Sequence, residues 1–225
     1  MRVIFPFLIL WLTFLPVYSE EVYHYVVKWM GIVAGRAQVT FKEEGKIKAT
    51  LRTVGIFDLL YYVRDSLSSW VDEEGNLVRL VTQLQEGKYR YQEEVVFSEK
   101  KGEKNGKEFS VPSGVKDPLS LLLYLKGENL PPGEITVPVY IHGKVDKLRL
   151  KIEKEEEIKI YGHSYKVIPI IPDMSTIERK GLAKKIKEAT LYLTSKEKIP
   201  LLIEVFSSFG RITALLENRD GLSRD

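Results

Sequence analysis

Asp117-Pro118-Leu119-Ser120-Leu121-Leu122-Leu123-Tyr124-Leu125 is the stretch around which this chain has to be arranged. Asp117 suits a helix cap, and Pro118 suits the first helical position, where a missing N–H costs nothing. Beyond the cap every residue except Ser120 is apolar, so the helix has no face to offer water. A helix that is apolar all round must be enclosed by other elements. Nearly everything else reads as strand. The expectation is therefore a mainly β fold: one curved antiparallel sheet forming a half-closed barrel around one short buried helix.

Strands on both sides of the helix supply that sheet. In Val22–Met30, Tyr23, Tyr25, Val27 and Trp29 share one face, with His24 and Lys28 on the other. Gly31 and Gly35 bracket a turn before the alternating Ala37, Val39 and Phe41, and Glu43-Glu44-Gly45-Lys46 signals a hairpin into Ile47, Ala49 and Leu51. Gly55–Tyr62 breaks the alternation and reads equally as one helical turn or a bulged strand. Strands resume through Val63–Val71, Val78–Leu84 and Tyr89–Phe97, with Lys100–Lys107 as a polar hairpin tip. After the helix come Glu134–His142, where Pro138 suggests an edge or a bulge, then Lys147–Glu153, Ile158–Tyr161 and Tyr165–Ile171. Ala189–Thr194, Leu201–Ser207 and Arg211–Leu216 close the chain as a meander, with Asn218–Asp225 as a frayed tail. Tight turns make neighbouring strands antiparallel, and a dozen of them exceed what a flat open sheet tolerates.

Composition sets the outer limits. The 225 residues carry a formal charge of +3, with 29% charged and 44% hydrophobic residues. Basic and acidic residues are interspersed, which speaks against nucleic acid as a partner. No cysteine is present, which excludes disulfides, thiolate metal sites, a Cys nucleophile and an N-terminal lipid anchor. Met1–Ser19 reads as a cleaved signal peptide: Arg2, then the apolar run Val3–Leu15, then Val17-x-Ser19 before the cut. That run is too short to span a bilayer. The expected organisation is a signal peptide over 1–19 and one β-rich domain over 20–225, located in the periplasm.

No catalytic constellation emerges. His24, His142 and His163 lack zinc-ligand spacing, so neither a metal nor any other cofactor is expected. Asp65-Ser66, Ser68-Ser69 and Asp72 place carboxylates beside hydroxyls, but a strand running into a turn produces the same pattern. Glu153–Glu157 reads as a solvated hairpin end. Arg179-Lys180 with Lys184, Lys185 and Lys187 is the densest basic cluster, diluted by Glu178 and Glu188, and a peripheral membrane contact there competes with a solvated loop. The function expected is non-enzymatic binding or carriage of an apolar small molecule, a lipid or acyl chain, with the helix as a movable plug. Candidate cavity-lining residues are Trp29, Leu80, Leu122 and Tyr124. The rival is an envelope scaffold whose core is filled and whose partner is another envelope protein.

Several segments, taken in order, also resemble one family. They are Tyr25-x-Val27-x-Trp29-x-Gly31-Ile32-x-Ala34-Gly35, Arg64-Asp65 with Ser69-x-Val71-Asp72, and Glu86-Gly87-Lys88-Tyr89-Arg90. Asp117-Pro118-Leu119-Ser120, a strand ending at Ser195, Ile199-Pro200 and Gly210-Arg211-Ile212 follow. Together they resemble the exported bacterial proteins grouped as domain of unknown function 3108. The resemblance implies an envelope location and supplies no reaction and no catalytic residue. The helix-plugged sheet is also similar, by architecture alone, to periplasmic lipoprotein carriers.

Overall fold

The computed structural model describes residues 20–42, 45–141, 143–177 and 184–220. Met1–Ser19, expected from sequence to be a signal peptide, the hairpin residues Glu43-Glu44, His142, the Glu178, Arg179-Lys180 part of the basic cluster and Gly221–Asp225 of the expected tail lie outside them.

Among the described residues fifteen strands form one antiparallel sheet. They are β1 (Glu21–Trp29), β2 (Ile32–Phe41), β3 (Lys46–Thr53), β4 (Arg64–Val71), β5 (Leu77–Glu86), β6 (Tyr89–Ser98), β7 (Lys101–Lys104) and β8 (Lys107–Ser110), then β9 (Gly133–Ile141), β10 (Lys144–Ile152), β11 (Glu156–Ile160), β12 (His163–Pro172), β13 (Ile186–Thr194), β14 (Pro200–Ser207) and β15 (Gly210–Asp220). The spatial order is β8 to β1 in unbroken descent, then β15, β14, β13, β12, β10 and β9, with β11 hanging off β12. The first and last strands of the described chain are thus neighbours, joined from Val22↔Asp220 to Trp29↔Ile212. Two meander arms extend from that central pair. Their far ends, β8 and β9, are not joined, so the sheet curls without closing.

Curling follows from strand number and twist, since each strand is rotated against its neighbour in the same sense. Bulges at His24/Tyr25, Val27/Lys28 and Trp70/Val71 add local twist. Tyr140 of β9 packs against Leu80, Val95 and Phe97 of the other arm, with ring centroids 5.3 Å from Phe97 and 5.7 Å from Phe109. The ends of the sheet are therefore held by side chains where no ladder joins them.

The greasy segment is α2 (Pro118–Gly127), two residues longer than the apolar run, with Asp117 as its cap. It lies on the concave side. Leu121 and Leu125 are buried in one cluster with Val137, Val139, Leu148, Leu150, Ile168, Ile170 and Leu193 of the second arm. Leu122, Leu123 and Tyr124 are half-buried, and none of the three is exposed. The half-closed barrel around a buried helix is the observed fold.

Several local expectations change. The ambiguous Gly55–Tyr62 contains a one-turn helix, α1 (Ile56–Leu60). The polar tip Lys100–Lys107 is largely paired backbone in β7 and β8. Asn218 to Asp220, expected to begin a frayed tail, instead belong to β15 because β1 continues beside them. Gly35 ends no turn. The turn is Met30-Gly31, both at positive φ (50° and 86°), whereas Gly35 sits inside β2, where a Cβ would stand 2.7 Å from the Arg52 carbonyl oxygen. Pro138 lies in β9, an edge strand, where its missing N–H breaks no ladder.

Candidate functional site

Strand alternation decides what faces inward. On β1 to β6, Tyr25, Ala37, Leu51 and Asp65 stand opposite one another in register, as do Thr82 with Glu93 and Leu84 with Tyr91. These side chains share the concave face with Val39, Ala49 and Leu67. The second arm contributes Ile203, Ile212 and Ala214. Between them is a hollow of about 450 Å³, which Pro118, Tyr140 and Ile141 also line. The small side chains Ala37, Ala49 and Ala214 leave space that larger residues would occupy.

The floor is fixed by a buried carboxylate. The Asp117 side chain has no exposure to solvent. Its Oδ1 accepts from Leu119 N (2.7 Å), Ser120 N (3.3 Å) and the Ser69 hydroxyl of β4 (2.7 Å), and its Oδ2 accepts from the Ser120 hydroxyl (3.1 Å). Asp117 N donates back to Ser120 Oγ at 2.8 Å, completing a capping box. Burial pushes the Asp117 carboxyl up, against the pull of Ser69, the two amides and Ser120. Beside it the ammonium of the buried Lys116 donates to Gly75 O at 2.6 Å, and burial pushes its pKa down. At the other end of α2, Lys126 donates to Tyr23 Oη (3.0 Å) and Glu21 (2.9 Å) and lies over the Phe41 ring. Both ends of the helix are thus tied to the first arm.

A second polar anchor crosses the wall. Glu93 is 2% exposed, pairs with Lys104 of β7, and accepts from the Tyr140 hydroxyl at 2.7 Å. Burial alone would raise its carboxyl, but Lys104, Tyr140 and Tyr91 outweigh burial and hold it below the usual range. Among the described residues Asp65 accepts only from the Gln85 amide (3.0 Å), and burial pushes its carboxyl up.

Opposite the α2 floor, the strands end in an apolar rim. The Trp29 ring meets Phe57 edge-on at 5.6 Å, and its Nε1 donates to Phe209 O at 2.7 Å. The rim therefore joins the β1–β2 turn, α1 and the β14–β15 turn. α1 has its apolar face outward: Ile56, Leu59 and Leu60, at helical spacing, are 64%, 87% and 72% exposed. Its geometry is held from below by Asp58, which accepts from both Arg64 guanidinium nitrogens at 2.7 and 2.9 Å and from the Thr53 hydroxyl at 2.7 Å.

Of the four lining residues expected from sequence, Leu80 faces the hollow. Trp29 stands at the rim. Leu122 and Tyr124 pack against the second-arm core, with the Tyr124 ring 5.7 Å from the Lys116 ammonium, so they border the floor and do not line the hollow. Face alternation on β1 to β6 could have pointed to Ala37, Ala49 and Leu51. The convergence of Glu93, Lys104 and Tyr140 has no local signal, since the three lie on different strands. Among the described residues no group of three His, Asp or Glu side chains is placed to hold a metal ion. No described helix is long and apolar enough to cross a membrane.

Comparison with known proteins places the fold. The family described as "Protein of unknown function (DUF3108)" matches over residues 24–217. Among solved structures, a beta-barrel-like protein of domain of unknown function DUF1849 from Brucella abortus is similar, with a TM-score of 0.60 at 11% identity, over 89% of this chain and 97% of that one. A DUF1089 family protein from Pseudomonas aeruginosa aligns with a TM-score of 0.36 at 10% identity, over 85% and 92% of the two chains. No curated protein matches the sequence.

Proposed function

We propose, from the premise that this chain belongs to the DUF3108 family of proteins of unknown function, that its hollow binds one apolar chain, such as the acyl tail of a lipid. The observation that carries this reading is the hollow itself: about 450 Å³ on the concave face, largely aliphatic, above a helical floor. A cavity lined by aliphatic side chains and a few polar tips is the ordinary form of a lipid or small-molecule site. Entry is through the rim and not by displacement of α2, because moving the helix would break the buried bonds of Asp117. Ile56, Leu59 and Leu60 give the rim an apolar surface for the ligand to cross and for contact with a membrane. The protein works without chemistry, as an exported binding or carrier protein of the periplasm, after removal of Met1–Ser19.

The test is extraction of the purified protein with organic solvent, followed by mass spectrometry, together with melting curves in added fatty acid. Stoichiometric acyl species are expected. Ligand at a hundredfold excess over its Kd adds about 2.7 kcal/mol, a Tm rise of roughly 5–10 °C for a chain of this size. Ala49→Phe, which fills the hollow, is expected to abolish both effects while leaving the unliganded Tm within about 3 °C. Absence of bound lipid together with an unmoved Tm would favour the envelope scaffold with a filled core.

A further inference from the structure

The opposite, outer face of β1 to β6 carries a pattern that the hollow does not use. Two rows of side chains cross the strands side by side. In the first, His24, Gln38, Thr50, Ser66, Gln83 and Gln92 stand each directly opposite the next. In the second, Arg36 is opposite Arg52, Arg52 is opposite Arg64, and Gln85 is opposite Arg90. A groove of about 940 Å³ runs over both rows, with Glu217 at its edge. Six strands at their ordinary spacing make such a row about 24 Å long.

Neither row is what a merely solvated or filled surface requires. Like charges directly opposite one another destabilise a sheet, and here three arginines are stacked across neighbouring strands. Arg36 is offset by Glu217, and Arg64 by Asp58. Arg52, between them, is exposed and forms no hydrogen bond or ion pair among the described residues; Arg90 donates only to the Gly87 and Tyr89 carbonyls. The side chains of Thr50, Ser66, Gln83 and Gln92 likewise form no hydrogen bond among the described residues. An unbroken line of unused donors and acceptors, Thr50 to Gln92, therefore runs beside two arginines, Arg52 and Arg90, that no carboxylate among the described residues meets in a direct ion pair; Asp58, which pairs with Arg64, acts on Arg52 only at a distance.

Amides and hydroxyls both donate and accept, as sugar hydroxyls do, whereas guanidinium groups grip carboxylate, sulfate or phosphate by paired bonds. A ligand that satisfies both rows together is a polyhydroxylated chain with anionic groups at intervals. We propose that this groove binds an acidic oligosaccharide, with its hydroxyls along the Gln38-to-Gln92 row and its anionic groups on Arg52 and Arg90. The proposal stands on the outer face and does not depend on what fills the hollow.

Calorimetric titration of the intact chain with oligogalacturonate tests it, with a neutral maltooligosaccharide and short polyglutamate as comparisons. Oligogalacturonate is expected to bind, more weakly as salt rises. The neutral sugar and the acidic peptide should each bind at least about tenfold more weakly, since each satisfies one row only. Arg52→Gln is expected to weaken binding by about tenfold or more while its Tm holds or rises, because a like-charge contact is relieved. Gln83→Leu should also weaken binding with its Tm unchanged. Failure of oligogalacturonate to bind, binding of polyglutamate with equal strength, or a lowered Tm for Arg52→Gln would each overturn the proposal.

Discussion

Asp117→Ala lowers the stability of the protein by about 2–4 kcal/mol, a drop in Tm of roughly 5–15 °C, read from thermal melts against the unchanged chain. Loss of a cap costs about 0.5–2 kcal/mol, and the remainder comes from buried donors left without an acceptor. The hydroxyls of Ser69 and Ser120 and the amides of Leu119 and Ser120 all point at this carboxylate. Asp117→Asn separates charge from geometry, since it keeps Oδ1. The sign of its pH effect follows from burial. A carboxyl pushed up in the fold contributes stability that is present below the unfolded value, about 3.9, and lost as pH rises through the folded value. The Tm of Asp117→Asn should therefore gain on that of the unchanged chain as pH rises through that window. A difference that stays flat with pH would show that Asp117 carries no raised affinity for its proton.

Glu93→Ala is expected to cost a similar amount, about 2–4 kcal/mol, by leaving the Tyr140 hydroxyl buried without its acceptor and Lys104 without its partner. Lys104 is part-exposed and can turn to water, which keeps the figure below that of a fully enclosed pair. The location of the damage makes it informative. Glu93 is on β6 and Tyr140 on β9, strands that no ladder joins, so this bond helps hold the two arms of the curled sheet together. Its pH signature is the reverse of that of Asp117. A carboxyl held low in the fold contributes stability above its unfolded value, about 4.3, and loses it as pH falls through the folded value. Glu93→Gln should remove that acid-side loss. Melting curves of the two neutral variants between about pH 2 and 6 should thus bend the stability profile in opposite directions. If both variants bend it the same way, one of the two assignments is wrong.

The two carboxylates also show how far a sequence can be read. Asp117 was legible because its signal is local: a capping residue, then proline, then seven residues of which only Ser120 breaks the apolar run. No other arrangement of that segment keeps it from water, and enclosure by a curled sheet follows. Glu93 was not legible. It lies in an alternating strand where an inward glutamate looks like a lapse in pattern, and its partners are 11 and 47 residues away. The outward face of α1 was equally hidden, since a five-residue run contains too little periodicity to show which side meets water. Alternation and apolarity mark Trp29, Leu80, Leu122 and Tyr124 as inward candidates but do not say whether each meets another side chain, a void or, as Trp29 does at the rim, the solvent.

Sequence alone determined the mainly β class, the antiparallel order within each arm, the buried helix and its cap, because each depends on residues close together in the chain. Tertiary structure alone decided that β1 and β15 are partners, that the sheet curls without closing, that small side chains leave a hollow above α2, and that three arginines align across neighbouring strands. Those features depend on register and on the sum of many small twists. A shift of one residue in any strand would turn its side chains to the other face, and no short stretch of sequence specifies that choice.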